Sequence, residues 1–183
     1  MLSDRDLRSL IESCGIGIWP PVPDGAVQPA SIDLRLANQF RTFKAVGAID
    51  TRCPQDDLTE LVNVPDGESF TLHPGEFVLA STVEAVRLGA FHVGMLEGRS
   101  SLGRLGLMVH STAGLIDPGF RGQITLELSN VNAVPLLLWP GERVAQLCVF
   151  RLPSGADHPY GTDGVGRYQG QRGPTPSLGA GPC

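Results

Sequence analysis

The sequence is short of positive charge, of long apolar runs and of paired cysteines, and each shortage removes a class of protein. Lysine and arginine number 14 against 19 aspartate and glutamate, giving a formal net charge of −5. A nucleic-acid binder needs a basic face to neutralise phosphates, so no nucleic-acid partner is expected. A few local arginines can still hold a small anion in an acidic protein. No apolar run approaches the roughly 20 residues that span a bilayer. The opening stretch MLSDRDLRSLIES carries charges where a signal peptide is apolar. A soluble, cytoplasmic chain with no membrane partner is therefore expected. The four cysteines, Cys14, Cys53, Cys148 and Cys183, form no CxxC pair, which predicts reduced thiols.

Several catalytic signatures are missing too. There is no GxxxxGK[ST] phosphate loop, no G-x-G-x-x-G that follows a strand and opens a helix, and no G-x-S-x-G elbow. His73, His92, His110 and His158 stand apart from any H-x-E or P-C-x-x-C pattern, so neither zinc nor another protein-bound metal is expected.

What is present is glycine (23), proline (15) and 42% hydrophobic residues, the composition of a globular chain of short strands and turns. Ser3 to Ser13 reads as a short helix: Ser3 as N-cap, Asp4 and Asp6 in the first turn, Leu7, Leu10 and Ile11 as an apolar stripe, Gly15 as the stop. Ile16 to Gly25 reads as an irregular connection. From Ala30 the period becomes two, with Ile32, Leu34 and Leu36 alternating with Asp33 and Arg35, and Phe40 to Phe43 continuing the strand. Val46 to Thr59 reads as a polar excursion. Short strands then recur between turn signals such as His73-Pro74-Gly75, Asp117-Pro118-Gly119 and Pro140-Gly141-Glu142. The pattern predicts a mainly β domain over 1–152, a barrel or sandwich, and a Gly/Pro-rich arm over 153–183 that builds no core.

Three segments carry candidate chemistry. In EGRSSLGRLGLMVH, Arg99 and Arg104 flank Ser100, Ser101, Leu102 and Gly103; this suits phosphate oxygens, or equally a helix start with solvated arginines. In GQITLELSN, Thr125, Glu127 and Ser129 face away from Ile124, Leu126 and Leu128. A partly desolvated carboxylate there can shuttle protons, although a strand Glu facing water has the same pattern. In LLLWPGERVAQL, Gln146 can donate and accept, as base or sugar recognition requires. Composition alone favours a disordered tail for the arm, yet it carries Tyr160, Arg167, Tyr168, Gln171 and Arg172, side chains that suit a lid over a phosphorylated ligand.

Taken together, LSDRDLR, QPASIDLRL, LHPGEFVLAST, LEGRSSLGRLGL, HSTAGLIDPGFRGQITLELSN, WPGERVAQL and HPYG…YQGQRGPTPS resemble the dCTP deaminase family of the dUTPase superfamily, in particular its actinobacterial bifunctional members. The resemblance implies a distorted β-barrel or jelly roll with a short N-terminal helix. It implies a homotrimer with active sites between subunits, and a C-terminal arm that closes over nucleotide. It gives Glu127 the role of catalytic glutamate and places Ser100 and Arg104 beside the attacking water. It places Arg99 to Arg104 at phosphate, Asp117 at the deoxyribose, Thr125, Leu126 and Gln146 around base and sugar, and Tyr160, Arg167 and Gln171 at the phosphates. Mg²⁺ is expected with the nucleotide triphosphate. Gly114 and Leu115 stand where members that stop at dUTP have His-Arg, which implies dUMP as product, Gly114 freeing the backbone beside the nucleotide. Three departures stand out: Arg167 where relatives have Lys, Met95 where close relatives often carry Arg, and the stretch EAVRLGAFH. A deaminase that releases dUTP, a paralogue acting on another cytosine nucleotide, and a non-catalytic nucleotide-binding protein on the same fold are the competing readings.

Overall fold

The computed structural model describes residues 1–44, 47–53, 58–110, 113–162, 164 and 166–179. Helix α1 (Asp4–Glu12) starts as its sequence predicts: the Ser3 hydroxyl accepts from the Asp6 N–H at 3.5 Å and two aspartates sit in the first turn. Its end differs by one residue. Cys14, not Gly15, takes the left-handed conformation (φ 58°). The Gly15 N–H donates to the Leu10 carbonyl at 2.8 Å and the Cys14 N–H to that of Ile11 at 3.2 Å, a Schellman closure. A Cβ on Gly15 would lie 2.7 Å from the end of the flexible Leu10 side chain, which would have to shift to admit it.

Alternation of apolar and polar residues produces the strands. β3 (Ser31–Phe43), β6 (Phe77–Leu88), β10 (Arg121–Asn130) and β12 (Arg143–Arg151) are the long ones. With β7 (His92–Gly98), β8 (Leu107–Val109) and β9 (Leu115–Ile116) they form a curled antiparallel sheet in the order β8-β10-β6-β3-β12-β7-β9. β1 (Ile16–Trp19) adds to β6, while β2 (Val27–Gln28) and β4 (Thr59–Asn63) add to β3. β5 (Phe70–Leu72) and β11 (Leu136–Leu138) form a separate pair. The expected mainly β architecture with a short N-terminal helix is the fold observed, its main sheet curled into a half-barrel. Of the polar excursion, residues 46 and 54–57 lie outside the described residues.

β1 corrects the reading of Ile16 to Gly25 as irregular. Ile16 and Ile18 are buried and pair with Leu88 and Val86; the strand stops at the cis Trp19–Pro20 bond. The three x-Pro-Gly signals are all tight turns, with Gly75, Gly119 and Gly141 at positive φ as type II geometry requires. Inside the sheet, Phe40 stacks on Phe70 with ring centroids 4.2 Å apart. Full burial of each large aliphatic or aromatic side chain contributes about 1.5–3 kcal/mol. Glu84 is fully buried and held by the Arg35 backbone N–H (2.8 Å) and guanidinium Nε (2.6 Å).

The cysteines depart from expectation. Cys14 and Cys148 are free thiols, but Cys53 is disulfide-bonded. Spacing reveals only local pairs, so a bond between distant cysteines leaves no signature in the sequence. Burial, and next the Glu97 carboxylate, push the Cys148 thiol up. Among the described residues no helix is long and apolar enough to cross a membrane.

Candidate active site

β10 has two unlike faces. Ile124, Leu126 and Leu128 are buried, and Leu126 is 0% exposed, so its side chain belongs to the core and only its backbone is left for a ligand. Thr125 and Glu127 stand on the other side, half-buried, in a pocket of about 370 Å³.

One wall is the Asp117–Phe120 turn. The Phe120 N–H donates to the Asp117 carbonyl at 3.1 Å, and the Tyr160 N–H to that of Pro118 at 2.7 Å. A Cβ on Gly119 would come within 2.7 Å of the Tyr160 carbonyl oxygen, so the arm approaches this closely only over glycine. The arm then follows β10. The Gln123 N–H donates to the Gln171 carbonyl (3.1 Å), and the Gln171 amide donates back to the Gln123 carbonyl (2.8 Å). The Thr175 N–H donates to the Thr125 hydroxyl at 3.1 Å. Tyr160, Tyr168, Gln171 and Thr175 thereby line the pocket that holds Glu127 and Asp117. Arg167 does not. It is exposed and donates to the Gly179 carbonyl.

Thr112 lies outside the described residues; Gly114 and Leu115 do not. The Leu96 N–H donates to the Gly114 carbonyl at 2.7 Å, and a Cβ on Gly114 would sit 2.7 Å from the Leu96 carbonyl oxygen. Glycine at 114 therefore lets β9 be bonded tightly to β7, rather than freeing the backbone as the sequence suggested. Leu115 is exposed and lines the pocket.

His110 stands isolated in the sequence, yet the fold brings it to this pocket. Its N–H donates to the Glu127 carbonyl (2.9 Å), its φ is 61°, and its ring lines the Glu127 pocket. Nε2 lies 2.9 Å from the Ala113 carbonyl and so carries the proton, which makes Nδ1 an acceptor in the neutral ring. Nδ1 is buried and has no partner among the described residues; the same holds for the hydroxyl of Ser81, the cross-strand partner of Thr125. An unmet buried polar group costs about 1–3 kcal/mol, a cost tolerated most readily beside a functional site. Neither residue was legible from sequence spacing, because cross-strand register creates the neighbourhood.

A second pocket, of about 390 Å³, lies where α2 (Ser100–Gly103) follows β7. Arg99, Ser100, Ser101 and Gln146 line it. Gln146 is fixed by the Ser31 hydroxyl (3.1 Å) and the Gly98 carbonyl (3.1 Å). Asp33 is buried between Arg99 (3.6 Å) and Arg143 (3.5 Å). Two guanidinium groups on one carboxylate leave a local excess of positive charge, suited to a phosphate. Asp33 and Arg143 were not foreseen as members of the site. Leu102 packs against the core, Gly103 faces open space, and exposed Arg104 lines neither pocket. The two pockets share no lining residue: Glu127 lines one, Ser100 the other, and Arg104 neither. Among the described residues no three His, Cys, Asp or Glu side chains form a group that could hold a metal ion.

Fold and site define a class: the chain belongs to the dCTP deaminase-like family, whose model matches residues 1–152. A relative from Salinispora tropica, named dCTP deaminase, dUMP-forming, is 59% identical over 180 residues, covering 97% of this chain and 93% of its own. A relative from Mycobacterium avium with the same name is also 59% identical, covering 97% and 94%. Among solved structures, a 2'-deoxycytidine 5'-triphosphate deaminase from Agrobacterium tumefaciens superposes with a TM-score of 0.66 at 24% identity. That match covers 82% of this chain and 47% of that one, so this chain spans about half its length. A dUTPase of Staphylococcus bacteriophage 80alpha shares the fold, with a TM-score of 0.51 at 16% identity over 77% of this chain and 92% of that one.

Proposed function

We propose that the protein deaminates dCTP at C4 and then hydrolyses the resulting dUTP to dUMP and pyrophosphate. The observation that carries this is a half-buried carboxylate, Glu127, at the base of an arm-covered pocket, in a chain similar over almost its whole length to proteins named dUMP-forming dCTP deaminases. In the deamination, water adds to C4 and Glu127 takes its proton. Glu127 passes that proton to N3, then moves the proton of the new C4 hydroxyl to the amine, which leaves as ammonia. In the second step water attacks the α-phosphorus, the bond to the bridging oxygen breaks, and pyrophosphate departs. Asp117 and Thr125 face the sugar and base; Tyr160 and Gln171 close the arm over the phosphates.

Ser100 and Arg104 polarise the water with a fixed hydroxyl and charge. Because neither lines the Glu127 pocket of its own chain, the reading includes a homotrimer in which the Arg99–Arg104 segment of one subunit completes the Glu127 pocket of the next. Mg²⁺ enters with the triphosphate as part of the substrate and is held mainly by phosphate oxygens and water. The test is a time course with dCTP and Mg²⁺ that resolves ammonia, dUTP, dUMP and pyrophosphate. Ammonia, dUMP and pyrophosphate in equal amounts is the expected result. Accumulating dUTP without pyrophosphate reduces the enzyme to a simple deaminase.

A further inference from the structure

A groove of about 700 Å³ lies behind the arm, outside the Glu127 pocket, with Gln171 its only lining residue in common with that pocket. Trp19, Arg121 and Arg172 line it. Its charge is unusual for an acidic protein. Arg121 on β10 stands directly opposite Arg87 on β6, and like charges facing each other across a strand pair are destabilising. Among the described residues Arg87, Arg121 and Arg172 form no ion pair; the ion pairs of the other arginines are those of Arg35, Arg52, Arg99 and Arg143. Arg87 is held by the Cys14 carbonyl (2.7 Å) and lies 5.9 Å from the centre of the Trp19 ring. The indole folds back over Gly17, where a Cβ would collide with it, and remains 49% exposed. Three unpaired guanidinium groups beside an exposed aromatic surface suit a ligand with clustered negative charge and a planar ring.

We propose that this groove is a second nucleotide site, separate from the catalytic pocket, with the phosphates on Arg121 and Arg172 of its lining, Arg87 beside it adding positive charge, and the base against the exposed part of Trp19. The inference goes beyond the proposed reaction and does not depend on it. Its consequence for the arm is mechanical. Arg121 belongs to β10 and Arg172 to the arm, and the Gly170 N–H already donates to the Arg121 carbonyl at 2.7 Å. A polyanion bridging the two tightens the segment that ends over Glu127.

The experiment uses ATP as probe with the full-length protein, reading Trp19 fluorescence in a Trp139→Phe background. ATP is expected to quench the signal saturably, and inorganic triphosphate to bind more weakly for lack of a ring. The double variant R87S/R121S is expected to weaken ATP binding about tenfold or more while dCTP turnover without ATP is unchanged. Absence of saturable quenching up to about 5 mM ATP, unchanged affinity in the double variant, or displacement of ATP by dUMP each overturns the second site. Inorganic triphosphate binding as tightly as ATP overturns the role of Trp19. Failure of dCTP turnover with ATP binding intact counts against the proposed reaction alone.

Discussion

Glu127 owes its suitability to a single feature, the period of two along β10. The same alternation that sends Ile124, Leu126 and Leu128 into the core sets Glu127, half-buried, against the pocket, where it can meet a bound substrate. Gln at this position keeps the shape and cannot accept a proton. Glu127→Gln is expected to lower ammonia release from dCTP by about 10²–10⁴-fold, the usual worth of a positioned general base, with nucleotide binding and circular dichroism unchanged. Near-normal turnover removes Glu127 from the chemistry. The facing of this residue is legible because strand alternation is local; its role comes from the family resemblance, since a solvated strand glutamate shows the same pattern. His110 and Asp33 were not legible: one acquires its place from the register of β8 on β10, the other from arginines 66 and 110 positions away in sequence, and neither relation leaves a local trace.

At the scale of elements, the arm and the β9 edge carry the specific content. Among the described residues, none beyond Val149 contributes a buried apolar side chain to the core cluster, and the arm offers the partly buried Tyr160, which packs against Phe120 at 5.9 Å. Yet Gln171, Gly173 and Thr175 are bonded to β10. Deletion from Tyr160 onward is therefore expected to preserve the β fold by circular dichroism and abolish most dCTP turnover; a truncated protein with normal kinetics contradicts the lid. At β9, Gly114→Ala forces a Cβ against the Leu96 carbonyl oxygen, where backbone, not a flexible side chain, must give way. We expect a loss of about 1–3 kcal/mol in stability and a larger share of dUTP among the products as Leu115 shifts in the pocket wall, and an unchanged dUTP:dUMP ratio dissociates this edge from product choice. The long strands, α1 and the Pro-Gly turns were readable because alternation, capping and turn chemistry are local. β1 was not, because Gly17 and Pro20 suggest a loop while the partner that makes it a strand lies on β6, some 70 residues away.

For the whole molecule, the separation of the two pockets is the decisive property. Glu127 lies in one and Ser100 in the other, they share no lining residue, and exposed Arg104 belongs to neither. A site built by one chain gives a different outcome from a site built between chains when two defective proteins are mixed. Glu127→Gln removes the proposed proton acceptor but keeps Arg104; Arg104→Ala keeps Glu127 but removes the charge proposed to polarise water. In the proposed cyclic trimer every interface is heterologous, and the proposed site would draw Glu127 from one subunit and Arg104 from its neighbour. After equal amounts are unfolded and refolded together, or exchanged slowly at high concentration, a random mixture restores both groups at about a quarter of the sites. Each variant alone is expected to be nearly inactive and the mixture to recover about a quarter of wild-type ammonia release. The recovered activity should also keep the wild-type KM for dCTP, because the repaired sites are chemically native. A mixture no more active than its components, with subunit exchange confirmed by mass spectrometry of tagged chains, places both residues in one subunit's site and rules out the shared one.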